Sequence, residues 1–191
     1  MSNAIPFIDL KTQYRALEDS IKERMHKVLD LRQKARSQRG DAQPPSEAWT
    51  QQSIAELREQ MVARKLTPTQ LLEAHIQRIE TVNPAINALV TDRFAQARSE
   101  AEAATTTLAQ SENPSALPPL FGIPCSIKEF LALQGMPQTG GVLYRKGVVA
   151  ETDSVVVSRI RQAGAVPLGV TNVPEGGLWM ETHNLIWGRT N

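Results

Sequence analysis

Leu120-Phe121-Gly122-Ile123-Pro124-Cys125-Ser126-Ile127-Lys128-Glu129-Phe130 ends an apolar run on a lysine. Phe121, Ile123 and Ile127 predict a buried strand or extended segment. Burial disfavours the ammonium form, and a lysine held neutral accepts a proton. On this reading Lys128 is a candidate base. Two simpler readings stand beside it: the side chain snorkels to water at a strand end, or its charge pairs with Glu129.

Two stretches further along change the weight of those readings. The first is Asp153-Ser154-Val155-Val156-Val157-Ser158-Arg159-Ile160-Arg161-Gln162-Ala163-Gly164-Ala165-Val166-Pro167-Leu168-Gly169-Val170-Thr171-Asn172-Val173-Pro174-Glu175, and the second is Asn184-Leu185-Ile186-Trp187-Gly188-Arg189-Thr190-Asn191. With the lysine segment, they resemble the amidase signature family, in family order and at family-like spacing, over about residues 53–191. Gln134-Gly135-Met136-Pro137, Thr171-Asn172-Val173-Pro174 and the 184–191 stretch are most similar to its fatty acid amide hydrolase branch.

The resemblance implies transfer of an acyl group from a small-molecule amide to water, without metal or organic cofactor. Family members use a Ser, cis-Ser, Lys triad in which the lysine deprotonates the bridging serine, and that serine activates the nucleophile. Lys128 matches the lysine. In relatives both serines belong to a Gly/Ser-rich segment beyond the Trp187-Gly188-Arg189-Thr190-Asn191 region, and that segment also supplies the oxyanion donors. The 191 residues are therefore expected to be truncated before the serines and inactive as given. Ser126 shares a strand face with Lys128 but has no oxyanion loop, and reads as a packed or hydrogen-bonded hydroxyl.

The resemblance also assigns Gly177, Leu178 and Met180 to the acyl pocket. The alternative is that Leu178, Trp179 and Met180 are ordinary core packing.

The expected fold class is α/β: an incomplete amidase-signature-type layered mixed sheet flanked by helices, preceded by a helical leader and a linker. Ser53 with Glu56 predicts a capped helix carrying Ile54, Leu57, Met61 and Leu66 on one side. Thr67-Pro68 starts a second helix with Leu72, Ile76 and Ile79 inward, ended at Asn83-Pro84. A strand over 86–90, a solvent-facing helix over 94–108 and a loop over 111–119 precede the lysine strand. A turn at Thr139-Gly140-Gly141, a helix capped by Asp153 and closed by Gly164, and a strand over 166–170 complete the reading. Strand, helix, strand in this order predicts a parallel crossover.

With 41% hydrophobic and 21% charged residues, the composition is that of a soluble globular protein, and a net charge of +1 gives no broad cationic field for nucleic acid. Cys125 is the single cysteine, which excludes an internal disulfide and reads as structural. No apolar run approaches the ~20 residues that cross a bilayer, and the N-terminus lacks a signal-peptide core. A cytoplasmic location without a membrane span is the expectation. His26, His75 and His183 are too scattered to suggest a metal site, and His75 reads as a hydrogen-bonded core histidine.

Before residue 53 the chain changes character. Ile5-Pro6-Phe7-Ile8-Asp9-Leu10-Lys11-Thr12-Gln13-Tyr14-Arg15-Ala16-Leu17 resembles the start of pyridoxal-phosphate-dependent sugar aminotransferases, fading after about Leu29. Tyr14, Leu17, Ile21, Met25, Val28 and Leu29 recur at helical spacing. Residues 1–30 read as a leader helix and residues 31–52 as a basic, Pro-containing linker. An aminotransferase fragment and a non-catalytic interaction module that self-associates through the leader are the competing readings. The aminotransferase reading requires a cofactor lysine and a phosphate site downstream, where the sequence resembles amidases.

Overall fold

In the computed structural model, which describes residues 48–191, the first long helices are α1 (Ile54–Val62) and α2 (Pro68–Ile86). The expected leader helix, with its Tyr14, Leu17, Ile21, Met25 and Val28 stripe, and the linker residues before 48 lie outside the described residues. Ser53 caps α1 as expected: its hydroxyl accepts the Glu56 N–H, while the Glu56 carboxylate accepts the Ser53 N–H at 2.7 Å. The backbone bond, more than the hydroxyl, holds the Glu56 carboxyl below its usual range. Thr67 and Gln70 repeat the device at α2, with Pro68 in the first turn.

Leu57, Met61 and Leu66 pack with Leu71, Leu108 and Ile123. Ile54, expected on the same side, is 49% exposed, because the stripe begins one turn before the neighbours that bury it.

The second helix does not end at Asn83-Pro84. Pro84 sits inside the last turn, where it removes one ladder bond, and the helix continues to Ile86. Asn83 offsets that loss. Its side-chain oxygen accepts the Ala88 and Leu89 N–H groups, and its amide donates to the Leu89 carbonyl. Asn87 then adopts a left-handed conformation, φ 52°, and closes the helix. The strand expected over 86–90 is consequently displaced to β1 (Leu89–Asp92).

Next come α3 (Phe94–Gln110), β2 (Pro124–Lys128), α4 (Val155–Gln162) and β3 (Val166–Thr171). The three strands form a mixed sheet in the order β1-β3-β2, with β3 parallel to β2 and antiparallel to β1. The central position of β3 explains its apolar run, buried from Val166 to Val170. The α3 helix is not wholly solvent-facing. Ala97 and Ala101 are buried against Leu72, Ile76, Val166 and Leu168, and their small side chains let the helix approach α2 and the sheet.

On the other side Ile127, Leu133, Met136, Val157 and Val170 form a separate cluster. Val170 has the strand parity of Val166 and Leu168 yet joins different partners. The β2–β3 register shifts between Cys125 and Ile127, and that irregularity accompanies the change.

Ser154, not Asp153, occupies the cap position of α4, and its hydroxyl is buried without a hydrogen-bond partner. Asp153 is engaged elsewhere, accepting from the Gln134 N–H at 2.8 Å and from Arg161 at 3.1 Å. Gly164 ends the helix as expected. A Cβ there would lie 2.7 Å from the Phe121 Cα, so only glycine fits. A short hairpin of β4 (His183–Asn184) and β5 (Gly188–Arg189), unanticipated from the sequence, completes the described part.

Candidate functional site

Lys128 is the last residue of β2 and lies opposite Thr171 in the parallel ladder. Ile127 and Glu129 are buried, Ser126 is exposed and Lys128 is half-buried. Strand alternation therefore puts Ser126 and Lys128 on one face, and Ile127 and Glu129 on the other. Lys128 is less enclosed than its apolar flanks suggest, because Ile127 turns toward the α4 side. Its ammonium makes no hydrogen bond or ion pair with any described residue. Ser126 is exposed, neither packed nor hydrogen-bonded among the described residues.

The simple pairing of Lys128 with Glu129 does not form. Glu129 is fully buried, and its carboxylate faces the 139–141 turn. One oxygen accepts the Thr139 N–H at 2.7 Å and the Thr139 hydroxyl at 2.5 Å, and the other accepts the Gly140 N–H at 2.8 Å. The indole N–H of Trp187 reaches the first oxygen at 3.4 Å. Consecutive backbone N–H groups curled around an anion satisfy a buried charge without a cation. The Glu129 N–H meanwhile donates to the Thr171 carbonyl at 3.0 Å, continuing the ladder past Lys128.

The same turn receives the loop assigned to the acyl pocket. Gly176 N–H donates to the Gly140 carbonyl at 2.8 Å, so residues 174–177 rest on the turn that holds Glu129. Gly177 is exposed, and Leu178, Trp179 and Met180 are 86%, 71% and 86% exposed. Their side chains face solvent, and the core-packing reading of them is corrected. The consecutive glycines Gly176 and Gly177, both at positive φ, and the 3₁₀ turn Glu175–Gly177 present the segment outward.

Asparagines tie the two downstream motifs together. Asn184 donates to the Asn172 side-chain oxygen at 2.9 Å and the Val173 carbonyl at 2.7 Å, and accepts the Ile186 and Trp187 N–H groups. Asn172 in turn donates to the Gly188 carbonyl and the Thr190 hydroxyl, and Asn87 donates to the Trp187 and Arg189 carbonyls. Trp187 is thereby delivered to Glu129. Sequence reading missed Glu129, Thr139, Asn172 and Asn184 as a unit. The available signal was an acidic residue at the end of a buried strand, followed ten positions later by Thr139-Gly140.

Cys125 is a free, partly buried thiol. Burial pushes it up to about 11, with Glu100 adding to the effect and Arg93 opposing it. A thiol that stays protonated at neutral pH is a poor nucleophile, in keeping with a structural role. His75 is half-buried and lies 2.9 Å from the Leu71 carbonyl through Nδ1, and His183 is exposed on β4. Among the described residues no helix is long and apolar enough to cross a membrane.

Residues 70–191 match the family profile described as Amidase. The chain belongs to the amidase family. It is similar to human fatty-acid amide hydrolase 2, 41% identical over 132 residues, which span 67% of this chain and 25% of that protein. It also resembles an acylamidase of Rhodococcus erythropolis, 39% identical over 140 residues, 73% of this chain and 28% of the relative. A solved fatty acid amide hydrolase superposes with a TM-score of 0.72 over 78% of this chain and 26% of that one, at 23% identity, which shows the shared fold. This amidase chain thus spans about a quarter of the length of the relatives it matches. The match takes in the lysine strand, the Glu129 turn and both asparagine motifs.

Proposed function

We propose that this chain contributes the lysine-bearing part of an amide-bond hydrolase, with Lys128 as the base. The carrying observation is that Lys128 leaves the end of β2 on the face opposite Ile127 and Glu129, with its side-chain nitrogen engaged by no described residue and so free, as the neutral amine, to accept a proton. In this reading Lys128 takes a proton from a bridging serine, which in turn activates a second serine to attack the amide carbonyl. Gly177, Leu178 and Met180 line the acyl side of the pocket, and hydrophobic acyl amides are the substrate class. The amidase part is assigned to residues 53–191, with a leader over 1–30, a linker over 31–52 and a cytoplasmic location.

Ser126 does not stand in for either serine of such a triad. Two residues apart on one strand face, its Cα and that of Lys128 are separated by about 7 Å, and no oxyanion donors accompany it. Loss of even one such donor costs about 100- to 1000-fold in rate. The 191 residues alone are therefore inactive in this reading.

The test is hydrolysis of short and long acyl amides by the chain itself and by the chain extended after Asn191 with the Gly/Ser-rich segment of an amidase relative. We expect no turnover from the first, and from the second turnover that Lys128→Ala removes. Turnover by the extended protein that ignores Lys128→Ala overturns the assignment of the base. Turnover by the chain alone that Lys128→Ala abolishes overturns the inactivity.

A further inference from the structure

We propose that Glu129 is a positioning residue for Lys128, and that its buried carboxylate is the clasp that sets the geometry of the whole lysine-bearing edge. The catalytic meaning of that geometry rests on the reading of Lys128 as a base; the clasp itself does not. Two segments, the 139–140 turn and Trp187, meet at this one carboxylate, and two more are tied to it through backbone bonds. Glu129 extends β2 through its N–H to Thr171. Thr139 and Gly140 close on its two oxygens. Trp187 reaches it from the hairpin, and Gly140 passes the constraint to Gly176 through its carbonyl.

The physical argument concerns direction. Successive strand side chains point to opposite faces, so fixing the Glu129 side chain in the interior fixes the Cα–Cβ vector of Lys128 toward the other face. A strand terminus otherwise frays, and Phe130, the next residue, is 45% exposed and offers little anchorage. Hydrogen bonds to an ionised acceptor are roughly twice as strong as neutral ones, and here the donors are largely preset backbone N–H groups. Lys128 can carry no comparable anchor of its own, because the group that would be anchored is the one that must stay free. A neighbouring residue on the opposite face is the position from which it can be aimed without being touched.

The turn has a second sign of specialisation. Gly141 N–H donates to the Thr139 hydroxyl at 3.1 Å while that hydroxyl donates to Glu129, which fixes the hydroxyl's orientation. Thr139 is buried with only 1% exposure, so the network is shielded from water.

The experiment uses the chain itself and needs no turnover. Surface lysines are acylated with a small water-soluble activated ester, and the rate at each lysine is read by peptide mass spectrometry. Lys65 and Lys146 serve as internal references in the wild type, Glu129→Ala and Thr139→Val. Glu129→Ala removes the clasp, while Thr139→Val removes one donor and leaves every charge in place, which separates aiming from a change in local charge.

We expect Lys128 to react several-fold faster in Glu129→Ala and by a smaller factor in Thr139→Val, with Lys65 and Lys146 unchanged. A merely structural glutamate would lower the melting temperature and leave the relative rate at Lys128 where it was. That result, in the folded variants, overturns the proposal. Amide exchange at Thr139 and Gly140 in the wild type gives a reading independent of any variant: strong protection is expected, and rapid exchange overturns the clasp. If the clasp holds and the extended protein nevertheless turns over without Lys128, the reading of the base fails alone.

Discussion

Gly169 of β3 and Thr91 of β1 approach so closely that a Cβ on the glycine would lie 2.3 Å from the Thr91 carbonyl oxygen and 2.8 Å from the Asp92 Cα. The φ of Gly169, +153°, is one that side-chain-bearing residues rarely adopt. It sits within the irregular register of β2 against β3, between the pairs Cys125–Pro167 and Ile127–Val170, and opposite Asp92 of β1.

Gly169→Ala should therefore destabilise the sheet by about 2–4 kcal/mol, since the obstacle is backbone that cannot move aside. Denaturant unfolding gives the measure. A change under about 0.5 kcal/mol would show that the two strands separate freely.

Asn184→Ala should cost about 1–3 kcal/mol, because it leaves the half-buried Ile186 and Trp187 N–H groups and the Val173 carbonyl to find new partners. The expected local signature is faster exchange of those amides than of the amides in α2. Equal protection in variant and wild type would refute the hub role of Asn184.

The Cys125 thiol, raised to about 11 from an unperturbed 9.0, makes folding depend on pH. Above 9 the unfolded chain loses the thiol proton while the folded chain keeps it, so the folded state binds more protons and stability falls as pH rises. The contribution is fully present below 9 and fades between 9 and 11, on the order of 2–3 kcal/mol. Comparing Cys125→Ala with the wild type across that window isolates it, and identical pH slopes would contradict it.

Leu178, Trp179, Met180 and Leu185 are all more than two-thirds exposed. An apolar group of this size promotes self-association. Replacing Leu178, Trp179 and Met180 with serine should lower the apparent mass in light scattering. A monodisperse wild-type monomer at high concentration would remove this expectation.

What the sequence makes legible here is local or motif-based. Ser53 with Glu56 and Thr67 with Pro68 announce their helices within four residues, and the lysine segment announces its strand, although within it only Ile127 is buried. Pro84 misleads, because the rule that a proline ends a helix is overridden by the side chain of Asn83, whose partners lie in the following turn. Asp153 misleads for a similar reason, being drawn to Gln134 and Arg161. The site is half legible. Lys128 stands out by its flanks, whereas Glu129 is marked only by its place after an apolar segment, and its partners Thr139, Gly140 and Trp187 come to it only on folding.

The asparagine stitching also bears on the order in which the protein assembles. Trp187 and Arg189 meet Asn87, Thr190 donates to the Asn87 carbonyl, and Asn191 reaches Ala85, contacts 100 to 106 positions apart in the chain. Such long-range closures come late, since the loop entropy must be overcome before the contacts reward it. On the ribosome, α1 and α2 emerge with their caps already encoded, whereas β1 waits for its partner β3, and the end of α2 for residues made about a hundred positions later. During that interval the nascent chain presents an unprotected strand edge, and the speed of synthesis through 88–191 becomes a determinant of how much of it folds correctly.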